Sequence, residues 1–333
     1  MVLSPWSRLA LAALSLRRMG LAFVVALAGV ASTFGASLLL RLPSPLPTTV
    51  TVGVAPSGVS VNAVANRVYV LNSGEGTVTM LDGATHAVLG TLEVGAIEAV
   101  AVDSATNRIY VTDPYAATIS ALDGALGDTV AVARVGVAHG ELAVDATNNR
   151  VYVLAGAVRD GHYGDAVVVL DGSSLAVVDT VPIDQGAVAV AVDPVSNRLY
   201  VATAGGPALD VFDARTDVLL ARVALEAVPA ALAVNPSTGR VYVTDALHGS
   251  VSVLDGATDA VLAMVAVGRQ PGAVAVNPKT DRVFVASAGD NSVSVLDGAL
   301  GTLVAALPVG RAPTGLGVDP LTNQIYVANR GSN

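Results

Sequence analysis

The sequence predicts an all-β fold: seven repeated blades, each a four-stranded antiparallel sheet, closed in a ring behind one N-terminal helix. Three observations carry that expectation. A five-residue phrase returns seven times at a nearly constant step. Past residue 50 the apolar residues fall in runs of four to eight, bounded by Gly, Pro, Asn and Asp. Such runs are strands buried on both faces. One separate uncharged stretch near the N-terminus is long enough to cross a bilayer as a helix.

That stretch is residues 19–40, 22 residues without a charge. Arg17 and Arg18 precede it, Arg8 lies further back, and only Arg41 follows closely. By the positive-inside rule, residues 1–18 stay in the cytoplasm and the repeats lie outside. Two readings fit: an uncleaved signal anchor, or a signal peptide cut at Ala26-Leu27-Ala28 or Gly29-Val30-Ala31. The expected location is therefore extracytoplasmic, membrane-tethered through residues 19–40 or secreted. Residues 41–47 hold Pro43, Pro45 and Pro47 and read as a stiff extended spacer.

The repeat occupies residues 48–333. Its phrase begins at Asn66, Asn107, Asn149, Asn197, Gly239, Asp281 and Asn323, with steps of 41, 42, 48, 42, 42 and 42 residues. The first copy reads Asn66-Arg67-Val68-Tyr69-Val70, and the sixth carries Phe284 where the others have Tyr. A period in the low forties marks a repeat architecture. In the unit from Pro271 to Gly310, Ala273–Val276, Val283–Ala286, Ser292–Leu296 and Leu303–Leu307 read as four strands. Asn277-Pro278 and Asp297-Gly298 supply turn chemistry between them. Four short strands per unit match the blade of a β-propeller. Each blade has two apolar faces that only its neighbours can cover.

The phrase and the recurring Leu-Asp-Gly-Ala-Thr turns resemble the YVTN-family β-propeller repeat. Its tetrad stands here as Tyr110-Val111-Thr112-Asp113, Tyr242-Val243-Thr244-Asp245, Tyr69-Val70-Leu71-Asn72 and Tyr326-Val327-Ala328-Asn329, none of them a perfect copy. The resemblance implies an extracytoplasmic or cell-surface protein of varied role, and a relation to seven-bladed lactonase-type propellers.

The last blade is expected to be incomplete. In most copies the Leu of Leu-Asp-Gly follows the Tyr by 12 residues, a position beyond Asn333 for Tyr326. Thr48–Gly53 matches the fourth-strand position and is expected to complete that blade from the N-terminal side.

Composition narrows function. The chain is 53% hydrophobic and 14% charged, with a mean hydropathy of +0.62. No acid precedes position 50, so the remainder carries 14 basic against 27 acidic residues, which disfavours a nucleic-acid partner. Cysteine is absent, which excludes disulfides, zinc–thiolate and iron–sulfur sites. No nucleophile-elbow, zincin, phosphate-loop or EF-hand pattern occurs.

Any site must therefore lie where blades stop matching, at loops that meet around the channel mouth. Before the first strands stand Glu98, His139 with Glu141, Asp184 with Gln185, Glu226, Arg269 with Gln270, and Arg311. This arrangement puts acids on one arc and arginines on the other, suited to a zwitterion or a carboxylate. The 48-residue step enlarges Val158–Asp165, read as a polar loop carrying Asp160 and His162. His139, Glu141 and His162 are the catalytic candidates, and Glu98, Asp184, Glu226, Arg269, Arg311 and Asp160 the ligand-binding ones. No cofactor is expected as a rule, although the two His and neighbouring carboxylates suit a divalent metal. The leading expectation is a binding or scaffold module whose protein or small-molecule ligand is open. The alternative is a lactonase- or lyase-type enzyme with its site, metal-assisted or not, at the channel mouth. A subunit of a periplasmic redox complex is a third reading, ranked last because nothing in the chain ligates a haem convincingly.

Overall fold

The computed structural model describes residues 48–159, 162–183 and 186–332, the side chains of 137–140, 157–159, 162 and 163 excepted. The expected N-terminal helix and most of the spacer lie outside the described residues. Among the described residues no helix is long and apolar enough to cross a membrane. Residues from Thr51 onward form one compact unit.

That unit is a β-propeller of six four-stranded antiparallel sheets, followed by a seventh sheet of two strands. The expectation of seven four-stranded blades is corrected to six. Strands in each four-stranded sheet run in sequence order from the channel outward, as in Pro271–Asn277, Arg282–Ser287, Ser292–Asp297 and Thr302–Pro308 of blade six. The seventh sheet pairs Pro313–Asp319 with Gln324–Asn329. Residues 48–53 adopt no strand, so the expected N-terminal fourth strand is also corrected. The seventh sheet has only two strands, so it offers no third strand for a fourth to pair with.

The phrase has a backbone reason. Its first residue lies in the left-handed region in all seven copies, from Asn66 (φ 53°) through Asn149 (φ 52°) to Asn323 (φ 61°). Asn, Asp and Gly are the residues that adopt this conformation at least cost. The fifth copy therefore begins with Gly239 (φ 68°) and the sixth with Asp281 (φ 52°) without disturbing the turn. At the other recurring turn, Asp82 Oδ1 accepts the backbone N–H groups of Ala84 and Thr85 at 3.0 and 2.8 Å. Phe212-Asp213-Ala214 lacks the glycine but makes the same turn, with Asp213 Oδ1 accepting from Arg215 and Thr216. These N–H donors favour the ionised carboxyl and hold Asp82 and Asp213 below the ordinary carboxylate range.

The core lies between blades. Tyr69, Tyr110, Tyr152, Tyr200 and Tyr242 are fully buried, each among Val, Leu and Ile of its own and the adjoining sheet. In the first four the hydroxyl reaches forward to the Asp-Gly or Asp-Ala turn of the next blade, whereas the Tyr242 hydroxyl makes no such bond. Tyr69 donates to the Gly124 carbonyl at 2.8 Å, Tyr110 to Gly172 at 2.7 Å, and Tyr152 to Ala214 at 2.9 Å. A Cβ on Gly256 would lie 2.4 Å from the Gly239 carbonyl and 2.6 Å from the Tyr200 hydroxyl, so a side chain there would need the turn to shift. Burial raises these phenols, to about 12 for Tyr152, so they act as neutral donors. The seventh copy closes the ring: Tyr326 donates to the Gly83 carbonyl of blade one at 2.9 Å.

Candidate functional site

Inner strands of the sheets other than blade two enter over a register shift. In blade one, Gly58 pairs with Leu71 and Pro56 with Asn72, so the single residue Ser57 is extra. Blade three differs. Leu142 pairs with Val153 and Ala138 with Ala155, which leaves His139, Gly140 and Glu141 opposite Leu154 alone. A wide bulge of this kind bends a strand and re-aims its side chains, and bulges are common beside sites.

Glu141 lies eleven residues before the blade-three Tyr. The six other copies carry Gly58, Ala99, Ala189, Ala231, Ala273 and Gly315 at that offset. One blade thus places a carboxylate where every other blade keeps at most a methyl group. Glu98 lies one position earlier in blade two, where its N–H donates to the Thr112 carbonyl at 3.1 Å. Both glutamates are reached by solvent. Protein around Glu141 nevertheless withholds part of water's solvation, which raises its carboxyl from 4.5 to about 7, and the Glu98 charge pushes the same way. Glu141 lies on the inner strand of blade three, with blade two and its Glu98 on one side.

The other candidates fare differently. Arg269 is turned onto its own blade: Nε donates to Asp290 Oδ1 at 2.7 Å and Nη2 to the Gly289 carbonyl at 2.8 Å. Its backbone N–H meets Asp290 Oδ2 at 2.7 Å. Arg269 therefore clips the loops of blade six together. Glu226 and Arg311 are exposed on separate blades, and the Arg311 N–H donates to Ser332 Oγ at 2.9 Å. The acid pair Glu98–Glu141 is electrically coupled; the described contacts do not draw Glu226, Arg269 and Arg311 into a cluster. Asp184, Gln185 and Asp160 lie outside the described residues, as do the side chains of His139 and His162. His86 and His248 lie apart from the pair: His86 Nε2 meets Gln324 Oε1 at 3.2 Å, and His248 pairs with Asp245.

The enlarged step of blade three is not a loop. It continues the ladder, pairing Gly156 with Asp165, Ala157 with Gly164, Val158 with Tyr163 and Arg159 with His162. Extending the hairpin satisfies backbone groups that a long polar loop would leave to water. Asp165, read as part of that loop, accepts the N–H groups of Gly186 and Ala187 at 2.7 and 3.1 Å and so fixes the approach to blade four. Among the described residues no group of three or more His, Asp and Glu stands together as metal ligands.

The pairing of Glu98 with Glu141 was not singled out by position in the chain. The signal was present: comparison at a fixed offset from each Tyr isolates Glu141 immediately.

No protein-family model matches the chain, and no curated protein matches it. Among solved structures, it is similar to hydrazine synthase of Kuenenia stuttgartiensis, with a TM-score of 0.74 and 18% identity. The match covers 89% of this chain and 97% of that one. At this identity the likeness shows the β-propeller fold.

Proposed function

We propose that this chain is an extracytoplasmic binding propeller, tethered or released through residues 19–40, that takes its ligand at the inner mouth of blades two and three. One observation carries the reading: Glu141 stands where six copies have Gly or Ala, with Glu98 acting on it from the adjacent blade. Two carboxylates that act on each other favour a ligand that brings positive charge or several N–H donors, such as an amine or a basic peptide segment. The resemblance of the phrase to the YVTN repeat supports a cell-surface setting, and the acidic balance past residue 50 fits a cationic partner better than a nucleic acid.

The test is a panel of amines and basic peptides measured by calorimetry against the intact chain and Glu141→Ala, which restores the residue of other blades. Binding to the intact chain that drops at least about tenfold in the variant, with an unchanged melting temperature, is the expected result. Equal affinity in both proteins overturns the site.

A lactonase- or lyase-type activity is the second reading, and one observation favours it. A carboxyl titrating at about 7 is suited to take or give a proton near neutrality. Turnover of a lactone panel with a pH profile that loses its inflection near 7 in Glu141→Gln would establish this reading over simple binding.

A further inference from the structure

We propose that the ring opens first between blade six and the seventh sheet, and not at the join of the seventh sheet with blade one. Every other join among the described residues carries a forward clasp from the phrase. Tyr69, Tyr110, Tyr152 and Tyr200 hold the turns of blades two to five through Gly124, Gly172, Ala214 and Gly256. Arginines add to them: Arg108 Nη1 donates to Gly172 O at 2.9 Å, Arg150 pairs with Asp217 at 3.3 Å, and Arg198 pairs with Asp259 at 2.7 Å. Between blades five and six the Tyr242 hydroxyl makes no bond, and Arg240 alone takes the Gly298 carbonyl.

Blade six has neither clasp. Phe284 replaces the tyrosine and has no hydroxyl to give. Arg282 turns back onto Asp297 of its own blade. The seam keeps two polar links: Asn277 Nδ2 to Asn323 Oδ1 at 2.7 Å, and Ala312 N–H to Asn291 Oδ1 at 2.8 Å. Apart from these it is apolar contact of Phe284 and Val295 with Leu316, Val318 and Ile325.

The opposite join is tight. Tyr326 holds Gly83, and Thr314 Oγ1 donates to the Pro56 carbonyl at 3.3 Å. His86 meets Gln324 and packs edge-on to Tyr326, with ring centres 6.1 Å apart. A Cβ on Gly315 would fall 2.7 Å from the Ser57 carbonyl, and one on Gly317 would fall 2.6 Å from Val59 Cγ1. The inner strand of the seventh sheet therefore presses directly on that of blade one. Mechanically the seventh sheet belongs to blade one, although its chain arrives from blade six. A buried hydrogen bond contributes about 1 kcal/mol, so a join lacking such a clasp opens roughly fivefold to tenfold more often than one that has it.

The chain has no cysteine, so single thiols can report each join. Ala286→Cys reads the face of blade six toward the seventh sheet, Ala121→Cys the face between blades two and three, and Ser57→Cys the join with blade one. Each full-length variant is checked for an unchanged melting curve and then labelled under native conditions. The expected order places Ala286→Cys first, about fivefold or more ahead of the other two. Equal rates, or fastest labelling at Ser57→Cys, overturn the proposal. Should Ala286→Cys fold poorly, hydrogen exchange of the unaltered chain decides the matter. The Ala312 amide, which bridges the seam, is expected to exchange faster than the Ala99 amide, which bonds Thr112 Oγ1 at 3.1 Å within blade two. The reverse order counts against it equally.

Discussion

Tyr152 and Glu141 lie in one blade and follow opposite rules. Tyr152 is buried between blades, and the same burial recurs at Tyr69, Tyr110, Tyr200 and Tyr242. Glu141 stands on the inner strand at the mouth, and no other blade has its like. Between the four-stranded blades, side chains of the phrase meet similar apolar neighbours from one blade to the next, so sequence converges on one solution. At the mouth, side chains from different blades meet each other and solvent, so the repeat loses its hold. Stability lives in the first region and specificity in the second.

Five experiments sharpen that contrast. Tyr152→Ala empties a fully buried site and deletes the bond to Ala214, and is expected to cost about 3–5 kcal/mol in denaturant unfolding. A loss under about 1 kcal/mol would show that blades are held by something other than the phrase. Gly315→Ala adds a methyl group 2.7 Å from the Ser57 carbonyl. Thermal unfolding should register a loss of about 1–3 kcal/mol, since one backbone must give way. Tyr110→Phe removes only the hydroxyl and is expected to cost about 1 kcal/mol, with the Gly172 carbonyl still served by Arg108.

The smallest expected effect concerns Glu141. Its folded value lies above its unfolded value of 4.5, so the folded chain binds the proton more tightly. Its contribution is therefore fully present below 4.5 and is lost as pH rises through about 7. Glu141→Gln should flatten the fall in stability across that window and leave the blades intact. Glu98→Gln should lower the Glu141 titration midpoint, read by side-chain NMR, because it removes the second cause of the shift. An unmoved midpoint would mean that burial acts alone.

Legibility followed the same division. The seven phrases, the Asp turns and the four-strand unit of blade six could be read directly, because each is local chemistry repeated in phase. Two expectations failed for lack of local signal. Residues 48–53 have strand composition, yet they adopt no strand, because strand composition alone does not supply a neighbouring strand in register. Val158–Asp165 looked polar enough for a loop, yet its two halves pair with each other as a longer hairpin. Arg269 looked available to a ligand until Asp290, twenty-one residues on, was found within 2.7 Å of Nε.

The sequence by itself determined that this chain is an array of β-blades, which residue of each phrase takes the left-handed turn, and which faces are apolar. Those facts depend on neighbours within a few residues, or on neighbours identical in every unit. Tertiary structure alone decided that six blades have four strands, that Tyr326 reaches back to Gly83, and that Glu98 acts on Glu141. These depend on how residues far apart in the chain come together, and no local period records that.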